Sequence, residues 1–268
     1  MGFLRDFAIL LRYDGGAYHG WQIQKDQTTV CSAVRDAISR VVGHPVSLHG
    51  CGRTDAGVHA LHYVAGFSAS TRIPAERLPY ALNPNLPRDI SVFRAAEVSG
   101  AFNAIGSCQK KEYTYWLYSG QHPDPLLSRR ALFFPGRLDI PRMARAAADF
   151  LGQHDFAALR SLGSTDVKST VRTVYASGIT VRGRHVFFKV AANGFLYNMA
   201  RTMLGTLLYI GLGKLPPDAV ISLLDGGGSR SMAGPTAPPW GLYMTGVWYD
   251  EPLPWSPVEG GLLVEEGW

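Results

Sequence analysis

Cysteine is scarce in this chain. Its 268 residues include only Cys31, Cys51 and Cys108, an odd number without the regular spacing of a disulfide framework. This pattern argues against a small secreted domain held together by disulfides. We therefore expect reduced thiols and a cytoplasmic protein.

Long apolar runs are also missing. The most apolar stretch, residues 195–212, is interrupted by Asn198 and Arg201 and does not fit a membrane span. Near the start, the apolar run at residues 7–11 is too short for a secretory signal and is followed by Arg12. We expect a protein without a membrane partner.

Acidic residues are in short supply over most of the chain. The formal net charge is +5, but residues 250–268 carry five acidic residues and no lysine or arginine. Residues 1–249 therefore hold 26 basic residues against 16 acidic ones. Such an excess fits a polyanionic partner, although many basic proteins bind none.

Apolar periodicity predicts two halves with the same order of elements. In the first half the predicted strands and helices follow the order β-α-β-β-α-β, at residues 3–13, 29–42, 46–48, 61–67, 74–82 and 90–98. In the second half the order repeats at residues 113–118, 140–151, 171–181, 185–191, 195–212 and 242–248. The repetition predicts an α+β fold with antiparallel-rich sheets. We assign residues 1–105 to the first half, 106–250 to the second and 251–268 to an extended tail.

A single carboxylate, Asp55, lies on the tight connection between two predicted strands, with a glycine on each side. Gly52 and Gly57 permit a positive φ or the close approach of another backbone. A side chain on such a loop is held by rigid scaffold and faces a cleft. From the residues alone two interpretations stay open: a functional carboxylate, or a turn in which Asp55 only caps backbone amides.

The segment G-R-T-D-A-G-V-H-A, residues 52–60, resembles the active-site signature of the tRNA pseudouridine synthase A family. The resemblance extends over roughly residues 5–250 and leaves out the tail. Its further segments are Y-D-G-G-A-Y-H-G-W-Q-I-Q at 13–24, L-N-P-N-L-P at 82–87, G-Q-H-D-F at 152–156, F-L-Y-N-M-A-R-T-M-L-G at 195–205 and A-G-P-T-A-P-P-W-G-L-Y at 233–243.

This resemblance implies an isomerase that converts uridine to pseudouridine at positions 38, 39 and 40 of the tRNA anticodon stem-loop. The two halves of the chain are then expected to meet around a central basic cleft. The resemblance also implies a homodimer whose cleft contacts tRNA through both subunits, with no cofactor and no metal. Asp55 is then the catalytic residue. Three roles for Asp55 stay open at this point: attack on the anomeric carbon, addition to the pyrimidine ring, and abstraction of a sugar proton.

The resemblance also assigns substrate-site roles to Arg201, Tyr113 and Arg53. Arg201 is implied to pair with Asp55 and keep it ionised, whereas the residues alone favour a solvated arginine extending from an apolar helix. Tyr113 is implied to stack on the target base, whereas alternating aromatics usually belong to a core. Arg53 is implied to support the flipped nucleotide, the alternative being an arginine that stabilises the turn. Lys110, Lys111 and Glu112 stand where arginines are usual in the family; the lysines keep positive charge but lose the planar guanidinium fork.

Three other patterns do not indicate a functional site. The spacing of His49, Cys51, His59 and His62 matches no common zinc site. We interpret His154 and Asp155 as packing at the end of a helix, and glycines 226–228 as a flexible loop. Two rival functions remain: a catalytically inactive tRNA-binding protein, and a nucleoside or glycan hydrolase, which would lack an evident second carboxylate.

Overall fold

The structure, a computed structural model, describes residues 4–161 and 168–255. In chain order its helices and strands are β1 (Leu4–Tyr13), α1 (Val30–Val42), β2 (Leu48–Gly50), β3 (His59–Ser70), α2 (Leu78–Leu82), β4 (Ile90–Val98), β5 (Cys108–Ser119), β6 (Leu132–Phe134), α3 (Ile140–Ala148), β7 (Gly152–Asp155), β8 (Val171–Arg182), β9 (His185–Ala192), α4 (Met199–Gly211), α5 (Ala219–Leu224) and β10 (Leu242–Tyr249).

The described residues form two compact units. The first contains the chain up to Lys110 and again from Tyr243, and the second contains Lys111–Leu242. The sequence led us to expect a boundary at residues 105/106 and the last strand in the second half. The last strand lies in the first unit because β10 pairs in parallel with β3, with Tyr243 opposite His59.

In the first unit, β1 lies between β4 and β3, and both pairs are antiparallel. β2 also pairs antiparallel with β3. Helix α1 begins after Thr29, whose hydroxyl accepts a hydrogen bond from Ser32 N at 3.2 Å, and ends at Gly43 with a φ of 81°. The helix buries one apolar stripe, made of Val30, Cys31, Val34, Ala37 and Ile38. The predicted element order of the first half is confirmed.

The edge strand β4 is partly covered by a side chain. The amide of Asn83 donates to the carbonyl oxygen of Val92 at 3.0 Å and accepts from its N–H at 2.8 Å. Asn83 thus makes the pair of hydrogen bonds that a neighbouring strand would make at this position.

In the second unit, β5, β9, β8 and β7 pair antiparallel in that order, and β6 runs parallel to β5. Helix α3 packs on α4 and on β8, where the Ser177 hydroxyl donates to the carbonyl oxygen of Ala147 at 2.6 Å. The core between them is rich in fully buried aromatics, including Phe150, Phe156 and Phe188. The predicted α+β class with antiparallel-rich sheets is confirmed.

The second unit departs from the predicted element order. It contains β6, β7 and α5, each of six residues or fewer, too short for an apolar period to show. Of the two residues interpreted as helix-end packing, His154 does contact the turn after α3, since its Nε2 lies 2.8 Å from Leu151 O, whereas Asp155 is exposed. Gly152, with a φ of 103°, turns the chain after α3, and His154 lies in β7 opposite Arg172.

The predicted helix at residues 195–212 begins later than expected. Asn198 has a left-handed backbone with a φ of 61° and precedes the first residue of α4. Arg201 therefore lies in the first turn of the helix and not in its middle. The predicted tail lies mostly outside the described residues.

One buried side chain in β3 gives the first unit a pH-dependent stability. His62 is 6% exposed, and its Nε2 has no hydrogen-bond partner among the described residues. Burial, and the nearby charge of Arg12, lower the pKa of His62 to about 4. Below the ordinary histidine pKa of about 6.5 the unfolded chain takes up a proton that the folded chain does not.

We expect the His62 contribution to lower the free energy of unfolding by about 2 kcal/mol between pH 8 and pH 5. Urea titrations at several pH values measure this loss. The variant His62→Phe should show a correspondingly flatter pH dependence. An unaltered slope in His62→Phe would contradict the assignment.

No helix among residues 4–161 and 168–255 is both long and apolar enough to cross a membrane.

Candidate active site

Asp55 lies on the connection between β2 and β3, as predicted. Its side chain is partly exposed, and that of Arg53 is exposed. The N–H of Val58 donates to the carbonyl oxygen of Asp55 at 3.1 Å, and Gly57 has a φ of 79°. Asp55 therefore sits at the start of a tight turn that leads directly into β3. We call residues 51–58 the aspartate loop.

The chain that follows β1 holds the aspartate loop by its backbone. Trp21 N donates to Thr54 O at 3.1 Å, and Gly57 N donates to Tyr18 O at 3.3 Å. Hydrogen bonds from both sides of Asp55 thus connect the loop to residues 18–21. Because these bonds involve main-chain atoms on both segments, they define where the Asp55 backbone lies.

Two buried tyrosines add side-chain hydrogen bonds to the same loop. The hydroxyl of Tyr13 lies 3.0 Å from Thr54 Oγ1, and that of Tyr63 donates to the carbonyl oxygen of Gly52. The two rings contact each other with centroids 5.5 Å apart, and Trp21 packs on Tyr63 with centroids 4.2 Å apart. Burial raises the pKa of Tyr13 well above its ordinary range. Tyr13 therefore acts as a neutral hydrogen-bonding support.

Two glycines allow the segments to come this close. A Cβ on Gly15 would lie 1.9 Å from Val58 O, and one on Gly20 would lie 2.3 Å from Thr54 O. Gly20 also has a φ of 80°, which side chains rarely adopt. The backbone at Gly15 and Gly20 thus packs directly against the aspartate loop, and a side chain at either position would clash with it.

His59, the first residue of β3, directly follows the aspartate loop and is buried. Its Nδ1 lies 3.0 Å from the Asp14 carboxylate and 3.1 Å from Gly15 N. Its ring, 2% exposed, stacks on Tyr243 with centroids 4.7 Å apart. This histidine joins β3, β10 and the chain after β1, so it supports the loop where the loop enters β3.

Arg201 belongs to the second unit. Its Nε donates to Ala237 O at 2.7 Å and its Nη1 to Asn198 Oδ1 at 2.6 Å. Gly205 lies one helical turn further along α4 and allows a close neighbour, because a Cβ there would lie 1.7 Å from Pro235 O. The segment at residues 233–237 thus packs on α4 and helps to orient the guanidinium.

Tyr113 lies in β5 of the second unit and is 8% exposed. Its ring meets that of Phe195 edge to face, with centroids 5.0 Å apart. The charges that replace the usual arginines next to it have local partners. Lys110 lies over the Trp248 ring at 4.2 Å, and Glu112 lies 3.6 Å from the amine of Lys189.

The described parts of the chain contain no group of three or more histidine, cysteine, aspartate or glutamate residues that could hold a metal ion. Of the four residues considered for such a site, Cys51 is buried with its Sγ 3.6 Å from Met244 Sδ, and His59 faces Asp14.

Sequence reasoning did not assign roles to the residues that hold the aspartate loop, namely Tyr13, Asp14, Gly15, Tyr18, Gly20, Trp21 and Tyr63. Six of the seven lie in the segment Y-D-G-G-A-Y-H-G-W-Q-I-Q. Its density of glycine and aromatic residues, together with its position directly after a strand, was the available signal. What the pattern could not reveal is which loop this segment contacts.

The chain is similar to known proteins over most of its length. Residues 9–104 and 146–250 match the model of a family described as tRNA pseudouridine synthase. Proteins called tRNA pseudouridine synthase A from Thermoanaerobacter sp. (strain X514) and Caldicellulosiruptor bescii are 44% and 41% identical to it, over 92% of this chain and 100% of each relative. A solved structure described as a Cbf5-Nop10-Gar1 complex matches with 16% identity and a TM-score of 0.39, over 90% of this chain and 48% of that one. The chain thus spans about half of that solved chain. By the family match and the identity to full-length relatives, the chain belongs to the tRNA pseudouridine synthase family.

Proposed function

We propose that this protein isomerises uridine to pseudouridine at positions 38, 39 and 40 of the tRNA anticodon stem-loop. The observation that carries the proposal is the aspartate loop, in which one carboxylate follows a short strand and is held by backbone hydrogen bonds on both sides. The proposed partner is tRNA, in keeping with 26 basic against 16 acidic residues over residues 1–249. We further propose a cytoplasmic homodimer whose basic cleft contacts tRNA through both subunits.

Asp55 is the proposed catalytic residue. The reaction breaks the N–C glycosidic bond of uridine and forms a C–C bond on the same ring, so it needs a carboxylate placed against the sugar and the base. A preorganised carboxylate costs little reorganisation when the reaction begins. The two tyrosines and the backbone of residues 18–21 supply that preorganisation.

Arg53, Tyr113 and Arg201 are the proposed substrate-site residues. Arg53 is exposed on the aspartate loop, where it can support a nucleotide that has left its stack. Tyr113 provides an aromatic ring for the uracil, and Phe195 orients that ring. Arg201 is proposed to pair with Asp55 and keep it ionised, and its bonds to Asn198 and Ala237 orient the guanidinium.

The Arg201 proposal predicts a charge-dependent loss of rate. Arg201→Met should lower the maximal rate on saturating tRNA by at least about 100-fold, because a carboxylate in a partly dry site loses its counter-charge. Arg201→Lys, which keeps the charge, should retain more activity than Arg201→Met. Single-turnover kinetics with enzyme in excess measure both rates. If Arg201→Met weakened tRNA affinity and left the maximal rate intact, Arg201 would be a phosphate contact and not a partner of Asp55.

The decisive experiment maps pseudouridine in unmodified tRNA before and after incubation with the purified protein, without added metal or cofactor. The proposal expects pseudouridine at positions 38, 39 and 40 and nowhere else. Binding of tRNA without any pseudouridine would support an inactive tRNA-binding protein, and release of free uracil would support a hydrolase. Either result would overturn the proposed function.

A further inference from the structure

The second unit contains an open groove that includes none of the proposed catalytic or substrate-site residues. It has a volume of about 640 Å³, within the range of ~300–1,000 Å³ typical of small-molecule sites. It lies between the end of β5, the loop leading to β6 and the residue before Gly241. Its lining consists of Tyr118, Pro123, Asp124, Pro125, Ser128, Arg129, Ala131, Phe133 and Trp240.

The floor of the groove is held by hydrogen bonds. Tyr118, 1% exposed, accepts the N–H of Asp124 at its hydroxyl at 2.9 Å. The Asp124 carboxylate accepts the N–H of Leu126 at 3.0 Å and pairs with Arg184 at 2.8 Å. This carboxylate, the one acidic group in the lining, therefore has its charge matched by a neighbouring cation.

The aromatic rim is also positioned by the backbone. Trp240 is 40% exposed, and its carbonyl oxygen accepts a hydrogen bond from the Tyr115 hydroxyl at 3.2 Å. The next residue, Gly241, has a φ of 99°, and a Cβ there would lie 2.7 Å from Trp116 O. A large apolar ring is thus presented at the edge of a groove although solvent reaches much of it.

The charges and rings together point to one ligand chemistry. The segment at residues 120–137 contains three arginines and one aspartate, and of these Arg129 and Asp124 line the groove. Phe133 and Trp240 offer flat apolar faces, on which nucleobases stack irrespective of their identity. An aromatic face beside an arginine fits a nucleotide, with the base on the ring and the phosphate on the guanidinium.

We infer that this groove binds a nucleotide of the RNA substrate other than the uridine that is isomerised. The inference rests on the proposed function in so far as it takes the substrate to be RNA. The groove then contributes to the affinity of the enzyme for tRNA and not to the chemical step. Trp240 supplies the stacking face and Arg129 the phosphate contact.

Single-turnover isomerisation of unmodified tRNA at varied enzyme concentration separates these contributions, because it yields an apparent affinity and a maximal rate constant. We expect Trp240→Leu, which keeps apolar bulk, to weaken the apparent affinity about tenfold and to leave the maximal rate constant within about twofold. Asparagine is the replacement chosen for Arg129 because it tolerates the positive φ of 58° at this position. Arg129→Asn should make the negative slope of log affinity against log salt concentration shallower by about one.

Two matched variants control for general effects. Leu126→Ala changes an apolar side chain that is 81% exposed beside the groove but does not line it. Arg137→Asn removes an exposed charge from the same segment outside the lining. Both should bind tRNA as the wild type does.

Unchanged affinity in Trp240→Leu and an unchanged salt slope in Arg129→Asn would overturn the inference, as would a loss confined to the maximal rate constant. If Trp240→Leu does not fold, the salt slope of Arg129→Asn decides alone. Failure of the proposed function is distinguishable, because the wild-type protein would then show no isomerisation. A groove that serves a protein partner would leave every tRNA measurement unchanged.

Discussion

Replacing Asp55 by asparagine is expected to lower the isomerisation rate by about 10⁴-fold or more, the scale of loss seen when an essential catalytic group is removed. Asparagine keeps the shape of the side chain and loses the charge and the reactive carboxylate oxygen. The loop is held by main-chain bonds of Thr54 and Gly57 and by side-chain bonds at Thr54 and Gly52. We therefore expect the variant to fold and to bind tRNA.

Three measurements check this expectation: single-turnover pseudouridine formation, tRNA affinity and thermal unfolding. Asp36→Asn is the matched control, since it makes the same change on α1 in an exposed residue paired with Arg35. It should retain the wild-type rate. Appreciable turnover by Asp55→Asn would exclude Asp55 as the essential carboxylate.

Replacing Gly20 by alanine is expected to lower the rate by about 100-fold although Gly20 contributes no side chain to the reaction. Its Cβ would lie 2.3 Å from Thr54 O and 3.1 Å from the carbonyl carbon of Asp55. Both neighbours are backbone, so the aspartate loop itself has to move. A displacement of about 1 Å in a catalytic group costs on the order of 100-fold in rate.

Gly43→Ala provides the matched control for Gly20→Ala. Gly43 has a φ of 81°, close to the 80° of Gly20, but a Cβ there has nothing within 4 Å. The control should lose about 1 kcal/mol of stability from backbone strain and keep its activity. Thermal unfolding and single-turnover rates separate the two effects. Equal rates in the two variants would mean that close packing of Gly20 does not position Asp55.

Helices and strands were predictable where the apolar pattern extended over many residues. The residues of α1 repeat an apolar stripe over thirteen positions, and β8 and β9 flank a short turn, so both features were predicted close to their observed bounds. The strand β7 has four residues and β6 has three, which is shorter than one readable period. The start of α4 depends on the left-handed conformation of Asn198, which no apolar pattern indicates.

The candidate site was predictable only in its local part. The position of Asp55 between two strands follows from the glycines around it and the strand patterns beside it. Apart from Tyr63, the residues that hold its loop come from a segment more than thirty residues earlier in the chain. The bond between Trp21 and Thr54 joins two connecting segments that are far apart in the chain, and such pairings arise from tertiary packing. A reading of residues in sequence order has no access to them.

The amide of Asn83 protects the edge strand β4 of the folded protein from pairing with another chain. By occupying both polar backbone groups of Val92, it removes one docking position from an edge that a foreign strand could otherwise extend. A short side chain such as alanine at residue 83 would expose that position. Self-association into β-rich aggregates should then rise at high protein concentration, even though no catalytic group has changed.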